Sequence, residues 1–442
     1  MSIWGSKGYK TTEVFGISTE ILEPSYIDRG ELDSEIQRHL ARNTHIALRG
    51  ESKCGKSWLR KKNIPDSLTI QCRLHKNVID LYVDALSQLG INLTLESASR
   101  NAIKGHLEAS TEGGHALLFK IGVKTNTASE AENGEKSKPI GHDLTDLRYI
   151  AKIINASGRR LVIEDFHYLS YAERKEFAFD LKALWDYETY VVLIGIWAEN
   201  NLLLHLNPDL AARVHEVSIF WSNKDLEQVI IKGSKALNIE LNSSIQSRCV
   251  EISFGTVGIL QKLLIEYLDV CNIENTQSPA IKLEDMSKFE TAAMKYADQL
   301  NAIYQTFAHR VAKGIRTRAK STGIYAHMLA VILTADDSTL NRGMRLDEIF
   351  YKAHQRQSRV QKGNLRTVLE RLDSLQIDED GRGLIVTYDS FQKQVSVVDK
   401  QILLYRTFAT VHWPWEDLIE SSDFDQTGFD GEDLTEGNPS QS

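Results

Sequence analysis

Eight residues, Gly50 to Ser57, restrict the fold of this chain more than any other stretch of its sequence. They read GESKCGKS, so four residues separate Gly50 from Gly55-Lys56-Ser57. Glycines let backbone N–H groups close around an anion, the lysine adds a point charge, and the serine hydroxyl can ligate Mg²⁺. The apolar run before Gly50 predicts a strand, and Lys56 to Lys62 predict the first turns of a helix. The stretch therefore predicts a phosphate-binding loop between a strand and a helix.

Residues of this loop are the first candidate ligands. An alternative interpretation, a polar turn that holds two glycines by coincidence, does not explain Lys56 followed by Ser57. We expect Ser57 to contact the metal as well as the nucleotide. The predicted nucleotide-binding residues of the loop are Gly50, Ser52, Lys53, Cys54, Gly55, Lys56 and Ser57.

Composition indicates a globular, intracellular chain of several domains. The 442 residues suit two to four domains, and 42% of them are hydrophobic, enough for real cores. Four cysteines are scattered without metal-ligand spacing, which favours a reducing cytosol over a disulfide framework. The N-terminus lacks a signal pattern, and no apolar run reaches about 18 residues. We therefore expect a soluble, cytoplasmic protein without a membrane partner.

Negative charge is concentrated at the C-terminal end of the chain. The net charge is −8, but Glu416 to Ser442 contain nine acidic residues and no basic one, so the remainder is near neutral at −8 + 9 = +1. Such a segment predicts an acidic, disordered tail over 413–442. It serves as a solubilising end, or it mimics nucleic acid and binds a basic partner surface; both interpretations stay open.

The pattern of apolar runs predicts the domain organisation. Three apolar strands alternate with helices, as in a parallel α/β sheet. The purely helical stretch after them predicts a lid, and helices followed by the hairpin LIVTYDSFQKQVSVVD predict a winged helix. The predicted domains are an N-terminal arm (1–24), an α/β core (25–222) with an insertion, part hairpin and part mobile loop, at about 110–141, a helical lid (223–301), a winged-helix domain (302–412) and the tail (413–442).

A second element of a nucleotide-hydrolysing site is the strand LVIEDFHYL, from Leu161 to Leu169. It ends in Glu164 and Asp165, at the edge where α/β sheets bind ligands. Successive side chains of a strand point to opposite faces, so the two carboxylates cannot perform the same task. One should hold Mg²⁺ and the other should orient or deprotonate the attacking water. We assign the metal to Glu164 and the water to Asp165, and the reverse assignment stays open.

Five motifs occur in a familiar order, namely YIDRGELD, GESKCGKS, LVIEDFHYL, VVLIGIWAENNLLLHLNPDLAARV and FGTVGILQKLL. In this order they resemble the AAA+ and STAND superfamily of P-loop ATPases, on the side of the replication-initiator and transposon target-selection ATPases. The resemblance implies ATP and Mg²⁺ as cofactors. It further implies that Tyr26 and Arg29 flank the adenine, and that Glu164 and Asp165 form an acidic pair whose usual order, Asp-Glu, is reversed here.

The resemblance also implies three positions around the γ-phosphate. Asn200 matches a polar sensor residue, for which Glu199 and Asn201 compete, and it is equally suited to cap the next helix. Arg213 matches an arginine that reaches a neighbouring subunit's site, or it pairs with an acid on its own surface. Gly258 stands near where many relatives carry a further arginine, which favours a slow switch over fast, processive hydrolysis.

Basic residues cluster in the predicted winged-helix domain. They suit contact with a phosphate backbone, but winged helices of STAND-like ATPases also act as a brake that packs on the nucleotide. Both interpretations stay open. The two clusters are Arg310, Lys313, Arg316, Arg318 and Lys320, and Lys352, Arg356, Arg359, Lys362 and Arg366.

Three functions are compatible with these features. The first is an ATP-dependent switch whose nucleotide state controls homo-oligomerisation and a separate effector protein, with prokaryotic anti-phage defence as its setting. No nuclease, protease, TIR or deaminase motif is visible, so an effector belongs to another chain. The second is a DNA-binding ATPase of transposition or replication that assembles on duplex DNA. The third is a scaffold that retains nucleotide without hydrolysing it.

Overall fold

The structure is a computed structural model that describes residues 8–73, 76–99, 102–120, 147–197, 201–314, 322–376, 384–390, 392–410 and 412–427. The chain forms two compact units. The sheet unit comprises Thr19–Ile21 and Ile27–Phe220, and the helical unit comprises the described parts of Met1–Ser18, Leu22–Tyr26 and Trp221–Ser442.

Helices and strands alternate through the sheet unit. In chain order they are α1 (Leu32–Leu40), β1 (His45–Gly50), α2 (Lys56–Asn63), β2 (Ser67–Gln71), α3 (Val78–Gln88), β3 (Ile91–Ser99), β4 (Ala102–Ala109), α4 (Glu112–Lys120), α5 (Leu147–Ser157), β5 (Arg160–Glu164), α6 (Tyr171–Asp186), β6 (Val191–Gly195), α7 (Leu202–Leu206) and β7 (Val214–Ile219).

Five of these strands form one parallel sheet in the order β2-β5-β6-β1-β7. One strand, β6, lies between the phosphate-loop strand β1 and the acidic strand β5. Helices cover the apolar strands, and β6 is buried along its whole length. The predicted parallel α/β sheet is confirmed, and its parallel register brings the ends of β1 and β5 to the same edge.

The insertion differs from its prediction. A hairpin does occur, but β3 and β4 form it upstream, at 91–109. Its expected apolar strand HALLFKIGV lies instead mostly in α4, where Leu118 packs into the core. Glycines and leucines in this stretch are compatible with either structure, and packing selects the helix. The predicted mobile loop, the polar stretch 124–141, lies outside the described residues.

His45 fixes the start of β1 inside the sheet unit. Its side chain is fully buried; Nε2–H donates to the Leu181 carbonyl at 2.8 Å, and Nδ1 accepts from the Val191 N–H at 2.9 Å. Burial, assisted by the charge of Arg160 and opposed by the hydrogen bond to the Leu181 carbonyl, lowers the pKa of His45 to about 4. The folded protein therefore contains His45 in its neutral form.

We expect acid to destabilise the fold through His45. Because its folded pKa lies below the ordinary value of 6.5, stability is retained above pH 6.5 and lost as the pH falls towards 4. The loss from this residue approaches about 3 kcal/mol. Denaturant unfolding between pH 7.5 and 5 measures it. The variant His45→Leu should be less stable at neutral pH but show a weaker pH dependence, and an unchanged slope would contradict the prediction.

Helices dominate the second unit. Its elements are α8 (Asn223–Leu237), β8 (Ile239–Leu241), α9 (Ser243–Glu251), α10 (Val257–Val270), β9 (Ile281–Leu283), α11 (Met286–Lys313), α12 (Ile324–Leu333), α13 (Asp337–Arg342), β10 (Met344–Arg345), α14 (Leu346–Arg356), α15 (Lys362–Glu370), α16 (Leu372–Gln376), β11 (Val386–Asp389), β12 (Gln394–Val397), α17 (Gln401–Phe408) and α18 (Pro414–Thr427).

The N-terminal segment is built into the helical unit. Phe15 is 1% exposed and packs on α8 at Gly233, where a Cβ atom would lie 2.2 Å from the Phe15 ring. The buried Gln261 of α10 accepts from the Gly16 N–H at 3.0 Å and donates to the Ser25 hydroxyl at 3.0 Å. The described part of the predicted arm, from residue 8 onwards, is therefore packed structure rather than an irregular extension.

The winged-helix prediction agrees with the topology of the helical unit. In chain order the elements are α12, α13, β10, α14, α15, α16, β11 and β12, and the three strands form an antiparallel sheet in the order β10-β12-β11. α15 takes the place of the recognition helix. The domain border predicted at 301–302 differs, because α11 runs through it as one helix of 28 residues. Both sides of that border have helical periodicity, so the sequence shows no break.

The tail also differs from its prediction at its beginning. Pro414–Thr427 form α18, which contacts α11 and α12. Trp415 is 2% exposed and stacks on Trp413 with ring centroids 4.4 Å apart. Two tryptophans therefore anchor a segment whose acidic composition predicted disorder; residues 428–442 lie outside the described residues.

Among the residues that the structure describes, no helix is both long enough and apolar enough to cross a membrane.

Candidate nucleotide-binding site

The loop between β1 and α2 has the backbone shape of an anion-binding loop. Lys53 and Gly55 both have positive φ angles, 59° and 89°. Gly50 cannot carry a side chain, because a Cβ atom would lie 2.6 Å from Cys54 Sγ and 2.9 Å from the Ile219 carbonyl oxygen. Glycine at the beginning of the loop is therefore required by close packing, and α2 starts with its N-terminus in the loop.

Lys56 is held inside this loop. Its side chain is 9% exposed, and Nζ donates to the carbonyls of Gly50 at 2.9 Å and Glu51 at 2.5 Å. These bonds place a positive charge at the concave side of the backbone turn. A phosphate group bound by the loop amides would meet that charge.

Arg29 supports the loop from outside. It is 9% exposed, and Nη1 donates to the Cys54 carbonyl at 3.0 Å. The structure thus brings this residue, predicted to flank the adenine, to the phosphate loop itself. Tyr26, its predicted companion, belongs to the helical unit, where its carbonyl accepts from Lys232 Nζ at 2.6 Å.

Glu164 faces the helix that follows the loop. Arg60 Nε donates to Glu164 Oε1 at 3.1 Å, and both side chains are less than 15% exposed. Arg60 follows Ser57 by three residues on α2, so both lie on one face of the helix. The carboxylate of Glu164 is therefore within reach of the first turn of α2.

Asp165 faces a different neighbour. It has a φ angle of 56°, at the turn after β5, and its Oδ2 accepts from Gln71 Nε2 at 3.0 Å. Gln71 is the last residue of β2, the edge strand. The two adjacent carboxylates thus point to different elements, because the chain leaves the strand at Asp165, where the φ angle turns positive.

His167 lies beside this pair. Burial lowers the pKa of its imidazole to about 4; Asp165 opposes the shift, while the charges of Lys56 and Arg174 reinforce it. Its ring stands 4.3 Å from the ring of Tyr168, between centroids. Neutral His167 is a packing residue at the turn, and its imidazole is not a cation for phosphate.

Glu216 of β7 organises the residues that follow β6. Its carboxylate accepts from Arg49 Nε at 3.1 Å, from Trp197 Nε1 at 3.3 Å and from the Asn201 backbone N–H at 3.1 Å. Asn200 and Glu199, two of the candidate sensor residues, lie outside the described residues. Asn201 has a φ angle of 58° and begins α7, without a side-chain cap.

Arg213 lies at the N-terminal ends of the parallel strands, whereas the phosphate loop lies at their C-terminal ends. It precedes β7, and its carbonyl accepts from the His45 N–H at 2.8 Å. His45 is the first residue of β1 and Gly50 is the last. Arg213 is therefore about five residues, or about 17 Å, from Gly50 along the strand direction. Instead of an acid, the guanidinium contacts the ring of Trp185, 4.8 Å from its centroid, and the Asp209 carbonyl. It cannot reach the phosphate loop of its own subunit.

The basic residues of the winged helix are partly paired. Lys362 contacts Asp347, Arg366 contacts Glu370 at 2.8 Å and Lys352 contacts Glu348 at 3.0 Å. Within the described part of this domain, Arg356 and Arg359 are exposed and have no carboxylate at ion-pair distance. Arg316, Arg318 and Lys320 lie outside the described residues.

The donor set at the loop fits Mg²⁺. This hard cation prefers oxygen ligands and keeps several waters, usually with one or two carboxylates. The Ser57 hydroxyl and the Glu164 carboxylate supply such oxygens, and Arg60 must release Glu164 for the carboxylate to reach a metal. Sequence analysis did not identify Arg60, Gln71 or Glu216. Only their positions in the sequence could have indicated them. Arg60 lies one helical turn after Ser57, Gln71 ends a strand, and Glu216 lies at one of the alternating positions of β7.

These features together define the fold class of the sheet unit. The strand order, the loop and the acidic strand end give the sheet unit the parallel α/β fold of P-loop NTPases, which confirms the predicted fold class.

No family model matches the chain, and no curated protein sequence matches it. Three solved structures resemble it weakly. The ORC1 protein of Aeropyrum pernix in complex with DNA aligns with a TM-score of 0.37 and 11% identity over 95% of this chain and 99% of that one.

A STAND protein with a tetratricopeptide repeat sensor from Pyrococcus horikoshii aligns with a TM-score of 0.36 and 11% identity over 96% of this chain but 47% of its own length. AMPPCP-bound DnaA from Aquifex aeolicus gives 0.33 and 13%, over 79% of this chain and 90% of that one. At these scores the alignments decide nothing about function, and the fold assignment rests on topology and loop geometry.

Proposed function

We propose that this protein is an ATP-binding and ATP-hydrolysing regulatory switch. Its nucleotide state controls homo-oligomerisation and, through it, the activity of a separate effector protein, in prokaryotic anti-phage defence. One observation carries the catalytic part of the proposal. The phosphate loop and the acidic end of β5 meet at one sheet edge, linked by the 3.1 Å contact between Arg60 and Glu164.

Each residue of the site has a task in this proposal. The loop amides and Lys56 bind the β- and γ-phosphates, while Ser57 and Glu164 hold Mg²⁺. Asp165 orients the attacking water and accepts its proton, and Gln71 holds the carboxylate in position. The choice of ATP, the oligomer and the defence setting rest on the sequence resemblance, and the absence of an effector motif in this sequence motivates the separate partner.

Replacing Lys56 is the direct test of nucleotide binding. We expect Lys56→Ala to weaken ATP binding about ten- to a hundredfold, because a charged contact to phosphate contributes about 1.5–3 kcal/mol. Lys56→Gln should weaken binding similarly, since it keeps a donor for the loop carbonyls but removes the charge. Isothermal titration measures both.

The matched control is Lys61→Ala. Lys61 lies on the same helix, but its Nζ contacts Glu20 Oε1 at 3.0 Å on the surface. This variant should bind ATP like the wild type. If Lys56→Ala and Lys56→Gln bound ATP with unchanged affinity, the loop would not be the nucleotide site.

The winged-helix topology and the unpaired Arg356 and Arg359 favour one alternative, an ATPase that assembles on duplex DNA. It predicts salt-dependent binding of duplex DNA, weakened by the double variant Arg356→Ala/Arg359→Ala. Fluorescence anisotropy at two salt concentrations distinguishes the two proposals. Duplex binding that the double variant does not weaken would remove the winged helix as the DNA-contacting element.

A further inference from the structure

A second cluster of ligating side chains lies in the sheet unit, away from the phosphate loop. Glu35 and His39 are four residues apart on α1 and share one helix face, and His215 reaches them from β7. Glu35 Oε1 is 3.7 Å from His39 Nε2 and 3.9 Å from His215 Nε2. One ligand atom from each residue lies within 4.8 Å of both others.

We propose that Glu35, His39 and His215 form a binding site for a transition-metal ion of the Zn²⁺ class. Two imidazoles and one carboxylate are ligands that Zn²⁺ takes in proteins, with water in the fourth position. Ligand atoms of a tetrahedral zinc site are about 3.4 Å apart, given bonds of about 2.1 Å. Two of the separations in the cluster are within about half an ångström of this value.

The backbone around the cluster is well anchored. His215 pairs with Ile46 in the parallel sheet, and the short connection after α1 leads directly into the same strand β1. His39 is buried, whereas the side chains of Glu35 and His215 are 39% and 43% exposed. An ion can therefore enter from solvent, and the exposed His215 can turn to meet it.

The present ring arrangement has to open for an ion to bind. The two imidazoles stack with centroids 3.5 Å apart and planes inclined by 23°. The Nε2 lone pairs lie in these two nearly parallel ring planes, so His215 must tilt for both to converge on one ion. Burial, then the neighbouring His215 and Arg42, lower the pKa of His39, while Glu35 opposes this. Neutral imidazole is the form that binds metal.

Positive charges near the cluster limit its affinity. Arg42 Nη1 lies 3.4 Å from His39 Nδ1, and Arg38 also adds positive charge near His39. When His39 Nε2 binds an ion, Nδ1 carries a proton and needs an acceptor instead of the exposed Arg42 guanidinium. The variant Arg42→Gln offers a carbonyl oxygen there and should tighten metal binding.

Calorimetric titration of the EDTA-treated full chain with ZnCl₂, without ATP or Mg²⁺, tests the proposal. We expect one site per chain, weakened more than about tenfold in His215→Ala and in Glu35→Gln, since even indirect partners of metal ligands contribute that much. Both residues are partly exposed, so these variants should melt like the wild type in EDTA. Titration with Co²⁺ should give the intense visible absorption of a tetrahedral site.

The matched control is His412→Ala. His412 is an exposed histidine whose two ring nitrogens contact different carboxylates, those of Glu416 at 2.7 Å and Asp417 at 3.6 Å. Among the described residues it is not part of a group that could hold a metal ion. It should leave Zn²⁺ binding unchanged. Lys56→Ala should also keep the site, so this test is independent of the proposed ATPase.

Four results would overturn the proposal. They are equal Zn²⁺ affinity in the wild type, His215→Ala and Glu35→Gln, an equal loss in His412→Ala, a Co²⁺ spectrum of octahedral type alone, and weaker binding in Arg42→Gln. Each would mean that the stacked histidines pack without holding an ion.

Discussion

Asp165→Asn is expected to bind ATP normally and to hydrolyse it at least about a hundredfold more slowly than the wild type, because it removes the proposed general base. Asparagine keeps an oxygen that can accept from Gln71 Nε2, now 3.0 Å from Asp165 Oδ2, so the turn should remain in place. Single-turnover hydrolysis and equilibrium ATP binding measure the two effects separately.

Glu164→Gln should give a different phenotype. Glutamine lacks the negative charge that Arg60 now contacts, and the proposed metal ligand is lost with that charge. Mg²⁺-dependent ATP binding should therefore weaken more than in Asp165→Asn. Asp66→Asn is the control, since Asp66 pairs with Arg159 at 2.8 Å on the surface. If the phenotypes of the two site variants are exchanged, Asp165 holds the metal and Glu164 acts on the attacking water.

Arg213→Ala is expected to abolish the dependence of ATPase rate on protein concentration. Arg213 lies too far from its own phosphate loop to act there, so in the proposed mechanism it acts on the site of a neighbouring subunit. Arginines supplied in this way accelerate phosphoryl transfer by a factor on the order of a thousand or more. The wild-type rate per molecule should therefore rise as subunits assemble, whereas the variant's should stay low and flat, with ATP binding retained.

The experiment measures ATPase rate over a hundredfold range of concentration, about 0.1 to 10 µM, and light scattering with a slowly hydrolysed ATP analogue follows assembly. Arg159→Ala removes another arginine near the same sheet edge, one that already pairs with Asp66. That variant should keep the concentration dependence. A flat wild-type rate across a range in which scattering shows assembly would reduce Arg213 to a structural contact with Trp185.

Local spacing explains which parts of the site the sequence predicts. The loop and the acidic pair each lie within a few consecutive residues, and their chemistry requires particular side chains at fixed distances along the chain. Parallel sheet topology then brings both to one edge. The predicted fold and the composition of the loop follow from these short patterns.

Contacts between distant segments could not be predicted in this way. Glu216 meets Arg49, and His215 meets His39, only because β7 pairs with β1 across more than 160 residues of chain. No periodicity in either segment specifies that pairing. Similarly, the acidic composition of the tail predicts disorder, while the two tryptophans at its start, Trp413 and Trp415, are what anchor α18.

The uninterrupted helix α11 has a mechanical consequence. Its 28 residues form a rod about 42 Å long. Near its start Glu290 contacts Arg248 of α9 at 3.1 Å, and further along Tyr296 and Tyr304 donate to Gln401 and Asp399 at 2.5 and 3.0 Å. A helix without a break provides no hinge, so α11 holds α9 and the N-terminal end of α17 at a fixed distance from each other.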